Sequence, residues 1–166
     1  MSRRALVAYG TKNGSAQGIA EAIGATLGTH GIETEVHPAS EVKDVSPYGI
    51  VILGGALYAG RWHGDAVRFA RRHRAALLDR DVWLFSSGPL DATATERDIP
   101  PVRGARRAAT RLAARQHVTF GGRLETGARG RMARMIVKSG RGGDFRDFDR
   151  IAAWATRITQ ESCAEA

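Results

Sequence analysis

The chain has 166 residues, 43% apolar and 25% charged, which suits one compact globular domain over residues 1–166 and excludes disordered, collagen-like and two-domain organisations. Its single cysteine, Cys163, excludes a disulfide framework, a cysteine-rich zinc site and a Cys-x-x-Cys redox centre, so no metal site is expected. The net charge is +8, and the stretch from Arg97 to Arg134 accounts for all of it, with ten arginines against Asp98 and Glu125.

Such a basic stretch fits an anionic small substrate, an acidic protein partner, an anionic membrane surface or simply a solvated face. Nucleic acid is not expected, because Phe120 is the only aromatic residue among those arginines. Arginine outnumbers lysine 22 to 3, a bias that a GC-rich genome also produces.

At the start, Arg3 and Arg4 precede an apolar run over residues 5–9 that ends at Gly10 and Lys12, too soon for a secretory signal. That run is nearly continuous, as expected of a central strand covered on both faces. Ile19, Ile23 and Leu27 fall four apart and predict the first helix. Ile32, Thr34 and Val36 alternate with Glu33, Glu35 and His37, which places the second strand at a sheet edge.

Residues 49–53 predict a third strand. The apolar stretch continues to Gly60, where Arg61 breaks it, and is too short to cross a bilayer. Residues 65–78 read as one helix, with Ala66, Val67, Ala70, Leu77 and Leu78 inward and Arg68, Arg71 and Arg72 outward. A fourth strand follows over 82–85, then a helical stripe of Ala105, Ala108, Ala109, Leu112 and Ala113, then a fifth strand over 117–122. A glycine-rich insertion over 123–143 precedes the last helix, whose stripe is Phe148, Ile151, Ala152, Ala155 and Ile158. Strands alternating with helices, the second strand at an edge, predict a doubly wound five-stranded parallel sheet of order 2-1-3-4-5 in an α/β fold.

In that order a ligand sits beyond the carboxyl ends of the strands, where the first and third strands diverge. The loop there reads GTKNGSA and opens directly into the first helix. Thr11, Lys12, Asn13, Gly14, Ser15 and Ala16 would offer hydroxyl, amide and backbone N–H groups to a terminal phosphate. No Gly-Lys-Ser/Thr ending makes it a Walker loop, and no G-x-G-x-x-G makes it a dinucleotide site. Receiver chemistry is excluded because the third strand ends in glycines and not in an aspartate. An ordinary strand-to-helix turn capped by Thr11 or Asn13 is the plainer alternative.

Two more loops share that sheet edge. One is Ala56, Leu57, Tyr58, Ala59, Gly60, Arg61, Trp62 and His63; the other is Ser86, Ser87, Gly88, Pro89 and Leu90. Phosphate, aromatic and small polar loops side by side describe an FMN pocket, with Tyr58 and Trp62 stacking on the ring. Core packing for the two aromatics and helix capping for His63 are the alternatives.

With these residues the sequence resembles the flavodoxin superfamily, AYGTKNGSAQGIAEAI being similar to its phosphate loop. VILGGALYAGRWHGDAVRFARRH, FGGRL and RMARMIVKSGRGGDFRDFDRIAAWA are similar to the quinone-dependent protoporphyrinogen IX dehydrogenase branch. The resemblance implies an FMN-dependent oxidoreductase with a porphyrinogen-like anionic substrate and a quinone acceptor, or else an electron-transfer flavodoxin docking to protein partners. It makes Arg61, His63, Arg131 and Arg134 the candidates for substrate contact, with no separate acid or base singled out. With no signal-like or bilayer-spanning run, a cytoplasmic protein is expected, one that touches the inner face of the membrane if it touches a membrane at all. Two departures stand out: Ala16 replaces the family's usual threonine, and the insertion is short and glycine-rich.

Overall fold

The computed structural model describes residues 4–11, 14–88, 98–124, 143–144 and 146–164. Lys12, Asn13, Pro89, Leu90, Arg131 and Arg134 lie outside them. Five parallel strands carry the fold: β1 (Ala5–Gly10), β2 (Thr34–Pro38), β3 (Ile50–Tyr58), β5 (Asp81–Ser87) and β6 (Gln116–Phe120). Their order is β2-β1-β3-β5-β6, with β4 (Arg61–Trp62) folding back antiparallel on β3. Without that short arm the order is the expected 2-1-3-4-5.

Alternate residues of the central strands point to opposite faces, and both faces are covered, which is why their sequences are apolar throughout. Val7, Ile52 and Phe85 face α1 (Ser15–Thr29) and the last helix, α5 (Phe148–Ala164), in one core cluster. Leu6, Leu53 and Leu84 face α2 (Gly64–Arg72) and α4 (Arg103–Arg111) in the other. β2 is an edge strand and its residues are half-buried. Its Glu35 is gripped by Arg4 at 2.8 Å and by the Tyr48 hydroxyl at 2.7 Å. Burial and the carboxylate together push the Tyr48 hydroxyl up to about 12.

The single helix expected over 65–78 is two. His73 leaves helical geometry at φ −102°, ψ 12°, and separates α2 from the single turn α3 (Arg74–Leu77). Its ring is buried against Phe69, with Nε2 3.3 Å from the Val42 carbonyl oxygen. A period of four cannot register a one-residue break. The break carries Leu78 out to 51% exposure, whereas Phe69, absent from the expected stripe, is wholly buried.

In the last helix Ile151, Ala155 and Ile158 are inward as expected, joined by Trp154, while Phe148 lies exposed beneath the Arg146 guanidinium, 4.9 Å from its ring centre. On α4 the helix ends at Arg111; Leu112 remains buried, and Ala113 turns outward at φ 51°. The expected insertion is closed at its base by β7 (Arg123–Leu124) paired antiparallel with β8 (Gly143–Asp144).

Candidate functional site

β1 ends at Gly10 beside β3, and the chain passes through Thr11 to Gly14 into α1. Gly14 is the N-cap at φ 82°, a left-handed conformation that strains any residue with a Cβ. Among the described residues no side chain caps this helix start, and no acidic residue lies in its first turn. The first N–H groups of α1 and the positive end of its dipole are thus presented to whatever sits above. Thr11 Oγ1 accepts a hydrogen bond from the Gly14 N–H at 3.0 Å, which leaves its own O–H to donate. Ala16 is wholly buried in the core, so position 16 offers its backbone N–H and not a side chain. This donor set, neutral or positive with no competing carboxylate, fits a phosphate.

The aromatic loop is a β-hairpin. β3 runs on past its neighbours to Tyr58, turns at Ala59 (φ 52°) and Gly60 (φ 74°), and returns as β4, with Tyr58 opposite Arg61 and Leu57 opposite Trp62. Two consecutive positive φ values are what a two-residue hairpin turn needs, and Ala59 holds one with a Cβ. Tyr58 is half-buried and Arg61 exposed at the strand ends.

Trp62 is neither. Its indole is 4% exposed, donates from Nε1 to the Phe85 carbonyl oxygen at 3.2 Å, and lies against Gly55, where a Cβ would stand 2.6 Å from that nitrogen. The expected stacking of Trp62 on a flavin is therefore corrected: its ring is a core element that anchors the hairpin arm to the sheet. His63 likewise caps α2, its Nδ1 accepting the Asp65 N–H at 3.1 Å, and is 3.8 Å from the Asp65 carboxylate. That employment leaves it as wall and not as free substrate ligand.

At the end of β5, Ser86 and Ser87 are both buried. The Ser87 hydroxyl is hydrogen-bonded to the Ser15 hydroxyl, tying the small polar loop to the phosphate loop. Ser86 Oγ lies 2.7 Å from His117 Nε2 on β6. Burial pushes the His117 imidazole down to about 4, so it is neutral near neutrality. Gly88, at φ 140°, donates its N–H to the Phe120 carbonyl oxygen at 2.9 Å and packs against Leu57. The side chains of Ser86 and Ser87 are thus spent inside the protein.

Sequence reasoning missed two features. One is the Ser86–His117 pair, which only strand register brings together. The other is a cavity of about 510 Å³ between α2 and α4, lined by Gly60 and Arg61 of the hairpin and by Arg71, Arg103, Arg107 and Arg111. The spacing 103, 107, 111 was available as a signal, but a row of arginines four apart is normally a solvated helix face.

Among the described residues no helix is long and apolar enough to cross a membrane. A family model described as "Flavodoxin domain" matches residues 6–143. The fold is similar to oxidised flavodoxin 2 from Bacillus cereus, at TM-score 0.66 and 16% identity over 95% of this chain and 99% of that one. Flavodoxin 1 from the same organism aligns at TM-score 0.61 and 12% identity over 95% and 97% of the two chains. Rubredoxin oxygen:oxidoreductase from Desulfovibrio gigas aligns at TM-score 0.57 and 10% identity over 94% of this chain and 37% of that one. A phosphate-ready loop, a hairpin and a backbone-lined loop meet at one sheet edge under a family match spanning most of the sequence. The chain thus belongs to the flavodoxin domain family, as an FMN-binding electron-transfer protein.

Proposed function

We infer that the chain is an FMN-dependent oxidoreductase that takes two electrons from a reduced anionic organic substrate and gives them to a quinone. By resemblance the substrate class is a porphyrinogen. The observation that carries this is the charge on the hairpin at that sheet edge: Arg61 is exposed and stands opposite Tyr58. Bound FMN supplies the hydride-accepting ring; the substrate loses a hydride and a proton, and the quinone gains the same to become a quinol.

The Thr11 hydroxyl and the first N–H groups of α1 hold the phosphate, Tyr58 flanks the ring, and Arg61 meets substrate carboxylates. Arg131 and Arg134, on the insertion, are proposed to add to that anion preference. A positive charge about 10 Å from the ring favours an anionic reduced form by roughly 0.4 kcal/mol at the dielectric of water and about 1.7 at an effective value of 20. Several such charges favour uptake of both electrons over stopping at one.

Reduction in steps is therefore expected to pass from oxidised to fully reduced flavin through one set of isosbestic points, with turnover when a soluble quinone is supplied. A persistent one-electron form without quinone reductase activity supports the second reading, an electron carrier, which the flavodoxin-domain match favours.

FMN is expected to bind in preference to FAD, since the loop holds one terminal phosphate. Ser15→Ala removes the hydroxyl that joins the phosphate and polar loops. The phosphate loop is then no longer tied to the small polar loop, and the cost of ordering it on binding weakens FMN by up to about tenfold, readable by flavin fluorescence titration. An unchanged FMN affinity in that variant removes Ser15 from the site.

A further inference from the structure

The cavity between α2 and α4 is a groove with unlike walls and floor. Arg103, Arg107 and Arg111 stand along one wall at successive turns of α4, a row about 12 Å long by helix geometry. Arg71 of α2 and Arg61 of the hairpin tip complete the rim. All five are exposed, and none has a carboxylate partner among the described residues. The floor is apolar, made by Val67, Ala70, Ala108 and the buried Trp62. Gly104 keeps that floor low; a Cβ there would already touch Trp62 and Val67 at 3.5 and 3.6 Å.

Cations spread in a row do not converge on one point, as the site of a single phosphate or carboxylate does. The floor offers no exposed ring for a nucleobase to stack on. A recessed apolar strip between charged walls suits an amphipathic helix better than a flat lipid surface. Carboxylates four residues apart on such a helix match arginines four residues apart on α4.

We propose that this groove docks an acidic amphipathic helix of a redox partner protein, its carboxylates against Arg103, Arg107 and Arg111 and its apolar side chains on the Val67, Ala70 and Ala108 floor. Gly60 and Arg61 of the hairpin that borders the FMN site line the groove, so the docked partner lies next to the flavin site. The redox purpose rests on the FMN assignment; the docking does not, and the two fail separately.

The test uses the full chain and a fluorescein-labelled helical peptide with glutamates four apart along one face and leucines along the other. Fluorescence anisotropy at low salt is expected to show saturable binding that weakens at least tenfold in Arg107→Glu/Arg111→Glu. Gly104→Leu, which fills the floor without altering charge, is expected to weaken it several-fold. Both variants are checked for native thermal unfolding, and FMN titration, run in parallel, is expected to be unchanged by the charge reversal. Equal peptide affinity in wild type and both variants overturns the proposal. So does tighter binding of a single-stranded oligonucleotide, of citrate or of anionic phosphatidylglycerol vesicles than of the peptide at the same ionic strength, when that binding is lost in the charge-reversed variant. Loss of FMN binding with intact peptide binding overturns the flavin assignment alone.

Discussion

Gly54→Val is expected to destabilise the protein by about 3 kcal/mol, a large part of the margin of a domain this size. Gly54 lies mid-strand on β3, between Tyr9 of β1 and Phe85 of β5. A Cβ there would stand 1.9 Å from Phe85 Cζ and 2.2 and 2.3 Å from its Cε atoms. Movement of a ring end is cheap where space exists. Here Phe85 is wholly buried, with Phe120 and Trp154 at centroid distances of 6.3 and 6.4 Å. Clearing the ring therefore means repacking three aromatics between α5 and the sheet.

The gain in strand propensity from valine, under about 1 kcal/mol, does not offset that. Urea unfolding of Gly54→Val, Phe85→Ala and the double variant tests the contact. Phe85→Ala opens the space that the valine needs, so the double variant is expected to lose clearly less than the sum of the singles. Additive losses would falsify this account of Gly54.

Gly54 and Gly55 also show where the sequence was legible and where it was not. The apolar runs of β1, β3 and β5 announce strands buried on both faces, and the alternation in β2 announces an edge. Sheet order and the phosphate loop follow from those patterns together with the helix beginning at Ser15. The two glycines show only as a pause in hydrophobicity, yet each admits a ring over the backbone, Phe85 on one face and Trp62 on the other.

An aromatic residue beside a glycine-rich turn looks like a ring-stacking loop. That Trp62 turns inward depends on Gly55, seven residues earlier, and on a carbonyl of β5. The same holds for the arginine groove. Its row on α4 is periodic, but its meaning depends on Arg71 and Arg61, which arrive from other parts of the chain. Period and spacing report what one element does; contacts between elements separated by tens of residues leave no such trace.

His117 is expected to make stability fall in acid by about 3 kcal/mol, nearly all of it between pH 6.5 and 4. Its Nε2 is 2.7 Å from the Ser86 hydroxyl, while its Nδ1 is buried with no hydrogen-bond partner among the described residues. Burial is the main cause holding the folded imidazole at about 4, against an ordinary value of 6.5. Between those values the unfolded chain binds a proton that the folded chain refuses, so stability rises with pH across the window and is lost as pH falls through it. Below about 4 both states are protonated and His117 contributes no further slope.

His73, also lowered chiefly by burial, adds loss of the same sign. The carboxyls of Glu35 and Asp44 are held below their usual range by hydrogen bonds and lose stability only at lower pH. His117→Asn, which keeps a polar group for Ser86 without titrating, separates these contributions. Urea unfolding at pH 7.5 and 4.5 is expected to show the wild type losing at least 2 kcal/mol more than the variant over that interval. Parallel loss in both proteins places the acid sensitivity elsewhere, and a neutral His117 next to the loop that borders the flavin is then not what limits the fold in acid.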